Sequence, residues 1–101
     1  MPTLDISEFQ KHIWKVYGHH DGKRGVWKTY LWLKSEVEEL GDAIKANDRE
    51  NIEEELADVL AWLSSVATLL DISLEDVALR RYGAGCPKCG CIPCRCSYRE
   101  K

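Results

Sequence analysis

The sequence predicts an all-α protein, an antiparallel bundle of about four helices. Apolar residues recur at spacings of three and four along most of the 101 residues, and N-capping residues, namely Asp5, Asp48 and Ser73, precede three of these stretches. No alternating strand pattern occurs before the cysteine-rich C-terminal tail. A chain of this length has room for one domain with a modest core.

The first helix is predicted to begin at Asp5, because Asp5 and Glu8 form a capping-box pattern. Apolar residues continue at helical spacing to Tyr17, and Gly18 is predicted to end the helix. Residues 19–25 combine histidines and charged residues with two glycines, which predicts a solvated loop.

The second helix is predicted to run from Val26 or Thr29 to Ala46, and Asn47 and Asp48 form the turn that follows. Its apolar positions lie at spacings of three and four, which is typical of one helix face packed against a core. These positions are Leu33, Val37, Leu40 and Ile44.

The third helix is predicted from Arg49 to Leu70, with Asp48 as its N-cap. From Leu56 onward it is apolar on nearly every side. Such a helix must be covered on every side, and a short chain has too few other helices to do so. We therefore expect a homo-oligomer, a dimer or a tetramer, that completes the bundle between subunits.

The fourth helix is predicted to follow Ser73 and to end at Gly83, a typical C′ residue. Ser73 is its N-cap and Asp76 is its third residue. This organisation divides the chain into a helical domain, residues 1–83, and a cysteine-rich tail, residues 84–101.

Four carboxylates form the main candidate site. Glu36 and Glu39, then Glu55 and Asp58, are each spaced i, i+3, so each pair shares one helix face. Both pairs adjoin an apolar stripe, which would place them where two helices meet. Hard oxygen ligands suit Mg²⁺ or Mn²⁺. A solvated acidic surface is the alternative, but most i+4 basic partners are missing and Asp58 lies in an apolar stretch.

The tail contains a second candidate metal site, with five cysteines in residues 86–96. Cys86 and Cys89 resemble the first half of a zinc knuckle. Cys94 with Cys96 is the expected second half, Cys91 with Cys94 is the alternative pair, and a disulfide or redox role is the other interpretation. We expect one structural Zn²⁺.

Net charge is −3, but its distribution is uneven. From Arg80 onward six Lys or Arg face one acid, and before it eight face sixteen. An acidic body argues against nucleic acid as a partner, and basic residues such as Lys88, Arg95 and Arg99 would offset thiolate charge. No signal peptide or membrane span is evident, so we expect a cytoplasmic protein without a membrane partner.

Residues 33–44, LKSEVEELGDAI, and residues 54–62, EELADVLAW, resemble the MazG-type all-α nucleotide pyrophosphohydrolases. The resemblance extends over roughly residues 24–82. It implies Mg²⁺-dependent hydrolysis of a nucleoside triphosphate to the monophosphate and pyrophosphate, with nucleotide-pool house-cleaning as a cellular role. It assigns catalysis and metal binding to Glu36, Glu39, Glu55 and Asp58.

A triphosphate also needs cationic contacts. Lys23, Arg24 and Lys28 precede the second helix and are the nearest candidates, although a solvated basic loop is an equal alternative. Trp27 and Trp32 could stack on a base or belong to a core or interface. The alternative function is a non-catalytic helical dimer whose zinc-binding tail acts as an interaction module.

Overall fold

A computed structural model describes residues 4–97, and this part of the chain is helical with no strand, as predicted. No single helix within it has the length and hydropathy of a membrane span, although the helices Arg49–Leu69 and Leu74–Tyr82 reach that threshold as a pair bent by 100°. The helices are α1 (Ile6–Arg24), α2 (Val26–Lys45), α3 (Arg49–Leu69) and α4 (Leu74–Tyr82).

The first helix is longer than the sequence predicted. It continues through Gly18 to Arg24 and ends at Gly25, whose φ of 84° suits glycine. Gly18 is buried, and a Cβ there would lie 2.7 Å from the Trp14 ring. Gly18 therefore makes room for an aromatic side chain one turn earlier, and the prediction that it ends the helix was wrong.

The second and third helices form an antiparallel hairpin. The turn at residues 46–48 is short, and the Asp48 side chain caps α3 by accepting a hydrogen bond from the Asn51 N–H at 3.2 Å. Farther along the pair, the Trp32 ring stacks on the Trp62 ring with centroids 5.7 Å apart. This hairpin brings the acidic segment of α2 against that of α3.

Gln10 of α1 holds the junction between α3 and α4. Its Nε2 donates to the Thr68 hydroxyl at 3.0 Å and to the Ile72 carbonyl at 2.7 Å. Its Oε1 accepts from the Leu74 N–H at 2.9 Å. A buried amide with three partners stabilises one geometry of this corner, because each lost partner would leave a polar group unpaired.

The fourth helix begins as predicted, with the Ser73 hydroxyl accepting from the Asp76 N–H at 3.2 Å. It ends at Gly83, which has φ of −60° and is not left-handed as a C′ glycine would be. The positive φ, 121°, occurs two residues later at Gly85. The chain thus changes direction at Gly85, where it enters the tail.

The buried apolar core of the single chain is small. Among the described residues, the buried hydrophobic side chains are Ile13, Ala43 and Ala67. Many large apolar side chains of α2 and α3 are instead more than a third exposed, which is unusual unless another surface covers them. On these two helices they are Val26, Trp27, Tyr30, Leu31, Trp32, Val37, Ile44, Leu56, Leu60 and Leu63.

Candidate active site

Three of the four predicted carboxylates form a cluster at the α2–α3 interface. Glu36 comes from α2, and Glu55 and Asp58 come from successive turns of α3. One oxygen from each of the three lies within 4.8 Å of the others. The i, i+3 spacing places the two α3 acids side by side, and the hairpin brings Glu36 to them.

Glu39 lies beside this cluster and is exposed. Its carboxyl is outside the group of three but close enough to raise the pKa of Glu36. Burial first, and then the carboxyls of Glu55 and Glu39, raise the pKa of Glu36 to about 8. The cluster therefore resists carrying its full negative charge unless a cation joins it.

The unpaired oxygens of the cluster also fit a cation. Glu36 Oε2 and Glu55 Oε2 are buried and have no hydrogen-bond partner among the described residues. A buried acceptor without a partner is costly and requires an explanation. Carboxylate oxygens on two helices are the ligands that Mg²⁺ and Mn²⁺ prefer, so the donor set fits the metal that the sequence predicted.

A cavity of about 280 Å³ adjoins the cluster between α1 and α3. Asp58 belongs both to the carboxylate cluster and to the cavity wall, and the Trp62 ring and Arg24 lie on the same wall. The cavity combines apolar and aromatic surface with a few charged groups, which is typical of small-molecule sites.

A hydrogen-bonded network fixes Arg24 at this cavity. Asp21 is 1% exposed and accepts from the Ser65 hydroxyl at 2.6 Å and from Arg24 Nη1 at 2.7 Å. Arg24 also donates to the Thr29 hydroxyl at 3.3 Å, and its guanidinium lies 4.9 Å from the Trp62 ring centroid. Asp21 thus positions the Arg24 guanidinium at the cavity.

The sequence did not single out Asp21, Ser65 or Trp62. Asp21 was assigned to a solvated loop, whereas it is a buried helical residue. The one available signal was the i, i+3 spacing of Asp21 and Arg24, which is common on exposed helices as well. Ser65 gave no signal beyond being a small polar residue in an apolar helix.

The predicted substrate-binding residues separate into two groups. Arg24, Lys28 and Trp32 line a second, shallower hollow on α2, and Arg24 connects it to the cavity beside Asp58. Trp32 is 53% exposed even though its ring stacks on Trp62. Lys23 is exposed in the last turn of α1 and lines neither hollow.

Four thiols form a separate cluster in the tail. One sulfur from each lies within 4.8 Å of the others, and Cys91 is outside the group. Backbone N–H donors, that of Arg95 first, lower the pKa of Cys89 to about 6, whereas the neighbouring sulfurs, Cys94 foremost, raise the pKa of Cys96 to about 12. The arrangement is compatible with a metal ion. The four are Cys86, Cys89, Cys94 and Cys96.

The fold and the acidic cluster define an all-α protein in which three carboxylates from two helices lie close together. The family model of the MazG nucleotide pyrophosphohydrolase domain matches residues 25–89, which is well over half of the chain. The chain therefore belongs to the MazG family, as its resemblance implied. The match includes α2, α3, α4 and both acidic pairs. No curated protein matches the chain.

Proposed function

We propose that this protein hydrolyses a nucleoside triphosphate between the α and β phosphates, with Mg²⁺ or Mn²⁺ as cofactor. The observation that carries the proposal is the cluster of three carboxylates with two buried, unpaired oxygens. Membership in a family of nucleotide pyrophosphohydrolases supports it. Such an activity would remove selected nucleotides from the cellular pool.

In this proposal Glu36, Glu55 and Asp58 hold the cation, and Glu39 adds a fourth carboxylate at the edge of the site. A bound divalent cation neutralises phosphate charge and lowers the pKa of a coordinated water. The α2–α3 hairpin preorganises the three ligands, so they need no large rearrangement when substrate arrives. Without a cation, the same acids would repel a triphosphate.

The nucleoside is proposed to occupy the cavity beside Asp58. Arg24 is held at its wall by Asp21 and can face a phosphate or the base while staying in place. Lys28 in the adjoining hollow supplies a second positive charge. The exposed part of Trp32 is available for stacking on a base or for contact with another subunit.

A nucleotide panel tests the activity. The full-length protein is incubated with Mg²⁺ and canonical or modified nucleoside triphosphates, and the products are separated. We expect monophosphate and pyrophosphate in equimolar amounts from at least one substrate, and no product after EDTA treatment. Release of diphosphate and orthophosphate would contradict the proposed bond cleavage.

A helical interaction module with no activity is the second candidate, and the exposed apolar surfaces of α2 and α3 favour it. It predicts no turnover of any nucleotide by a folded, metal-loaded protein. The panel therefore separates the two functions, since hydrolysis of a single substrate is enough to exclude a purely non-catalytic module.

We also propose that the protein assembles as a homo-oligomer, a dimer or a tetramer. Leu56, Leu60 and Leu63 are all exposed and lie at spacings of four and three on α3. A continuous exposed apolar stripe on a small domain favours association, and burial gains about 25 cal/mol per Å². The most economical partner for such a stripe is a second copy of the chain.

Sedimentation velocity at micromolar concentration tests this assembly. Leu60→Asp should shift the protein toward monomer, because the charge would be buried at the interface. Leu79→Asp is the matched control, because Leu79 is 63% exposed on α4, and it should leave the assembly unchanged. A wild-type protein that sediments as an active monomer would contradict the proposal.

A further inference from the structure

We propose that the tail is a structural zinc site in which Cys86, Cys89, Cys94 and Cys96 supply all four ligands and Cys91 supplies none. This site is separate from the carboxylate cluster and does not depend on nucleotide hydrolysis. It resolves which of the alternative cysteine pairs completes the knuckle.

The distances between sulfur atoms match a tetrahedral metal site. Cys86 Sγ lies 3.8 Å from Cys96 Sγ, and Cys89 Sγ lies 3.9 Å from Cys94 Sγ. Four thiolates about 2.3 Å from a tetrahedral zinc are about 3.8 Å apart. A disulfide requires about 2.05 Å. Two of the six distances between sulfur atoms therefore match those of a tetrahedral zinc site, and all six lie within 4.8 Å. All five cysteines are free thiols.

Backbone donors orient two of these sulfurs. The Arg95 N–H donates to Cys89 Sγ at 3.3 Å, and the Cys96 N–H donates to Cys94 Sγ at 3.4 Å. Hydrogen bonds to metal-bound sulfur are typical of the outer shell of such sites, where they fix the ligand orientation. The Arg95 bond also links the two halves of the site, because Arg95 lies in the second half and donates to a ligand in the first.

Cys91 has a different role. Its thiol donates to the Cys89 carbonyl at 3.4 Å, and its own carbonyl accepts from the Cys86 N–H at 3.1 Å. A Cβ at Gly85 would lie 2.9 Å from the Cys91 carbonyl oxygen, so the backbone approaches closely here. Cys91 thus closes the loop through its backbone and leaves the four metal positions to the other cysteines.

The chemistry of the four donors selects zinc and a structural role. Soft thiolates favour Zn²⁺ over the Mg²⁺ or Mn²⁺ of the carboxylate site. Four protein ligands also fill the tetrahedron and leave no position for a substrate. The resulting site carries two negative charges, which Lys88 and Arg95 offset within the loop; Arg99, also expected to do so, lies outside the described residues.

Apolar burial contributes little to the stability of residues 86–96. All its cysteines are at least partly exposed, and Ile92 is 79% exposed. Eleven residues, 86–96, cannot bury enough apolar surface to offset the entropy of ordering them. Metal binding supplies folding free energy in such segments. The ion therefore orders the tail beside α4.

The test is zinc content in the full-length protein and its single Cys→Ser variants, purified under reducing conditions. Elemental analysis should find about one zinc per chain in wild type. Cys91→Ser, the matched control, should keep the same zinc content. Each of the four other variants should lose its zinc to a chromogenic chelator that leaves the wild type loaded.

Cobalt substitution and circular dichroism complete the test. Co²⁺ in the wild type and in Cys91→Ser should give the strong ligand-field absorption of a tetrahedral thiolate site. Unchanged helical circular dichroism in the other four variants would show that zinc loss is local. The inference is overturned if Cys91→Ser loses zinc while Cys96→Ser keeps it, or if the native protein contains no zinc.

Discussion

The two ligand clusters of this protein differ in how they are assembled. The carboxylate cluster draws residues from α2 and α3; Glu36 and Glu55 are half-buried and each has an unpaired oxygen, whereas Asp58 is exposed. The thiol cluster comes from one short segment, residues 86–96, and lies near the surface. The first therefore depends on helix packing, whereas the second depends on a local loop and, in our proposal, on its ion.

The same difference has energetic consequences. Packing holds the carboxylates together even without a cation, so their repulsion is a cost to the folded domain. The thiols are held by a loop with little apolar burial, so loss of an ion should affect only the tail. Changes at one cluster should thus alter activity and domain stability, and changes at the other should alter zinc content.

The largest expected effect is on activity. Glu55→Gln should reduce Mg²⁺-dependent hydrolysis by on the order of 100-fold or more, because the amide removes a charged ligand that stabilises the transition state through the cation. The assay is pyrophosphate release at saturating nucleotide. Glu53→Gln makes the same change two residues away on the exposed, Arg49-paired surface of α3 and should retain full activity. Equal activity of the two variants would remove the acidic cluster from the mechanism.

The pH dependence of stability follows from Glu36. Its pKa is about 8 in the fold against an ordinary value of 4.5, so the metal-free folded state binds the proton more tightly than the unfolded state. The contribution of Glu36 to the free energy of unfolding is therefore fully present below about pH 4.5 and is lost as pH rises to about 8. Thermal denaturation in EDTA should show a melting temperature that falls across this range by several degrees.

Glu36→Gln should flatten that pH profile, because the amide does not titrate. Addition of Mg²⁺ to wild type at the alkaline end should raise the melting temperature again, since a ligand of the folded state stabilises it. Glu53→Gln, which changes an exposed carboxylate on the same hairpin, should keep the wild-type slope. Parallel profiles for wild type and Glu36→Gln would contradict the role of this carboxyl.

A smaller effect is expected at the network that holds Arg24. Ser65→Ala removes the 2.6 Å hydrogen bond to buried Asp21 and should cost about 1–3 kcal/mol of unfolding free energy. Ser64→Ala is the matched control, because Ser64 is equally buried but bonds only to the Leu60 carbonyl one turn earlier. It should cost less than about 1 kcal/mol. Urea denaturation measures both, and equal losses would mean that the Asp21 bond contributes no more than the local bond of Ser64.

The smallest effect on hydrolysis is expected at the tail. Cys89→Ser should lose zinc yet keep nucleotide hydrolysis within about twofold of wild type, because sites without shared contacts usually act independently. The two clusters share no hydrogen bond among the described residues. Loss of hydrolysis in a Cys89→Ser protein with intact helices would show that the two clusters are coupled.

Local signals predicted α2, α3 and α4 to within a few residues. Asp48 and Ser73 cap their helices as expected, because capping depends on residues only three positions apart. The first helix was predicted too short, since a glycine can end a helix or make room for a neighbour. The Trp14 ring decides between these roles, and its position depends on packing.

The sequence by itself determined the helical class, most helix bounds, the family and the acidic and cysteine residues that could bind metal. Each of these follows from residue type and short-range spacing. The tertiary structure alone decided that Glu36 meets Glu55 and Asp58 while Glu39 stays at the edge. It also decided that Asp21 is buried against Ser65 and that Cys91 lies outside the thiol cluster. These outcomes depend on distances between residues that are far apart along the chain or in an irregular loop, and helical periodicity does not specify such distances.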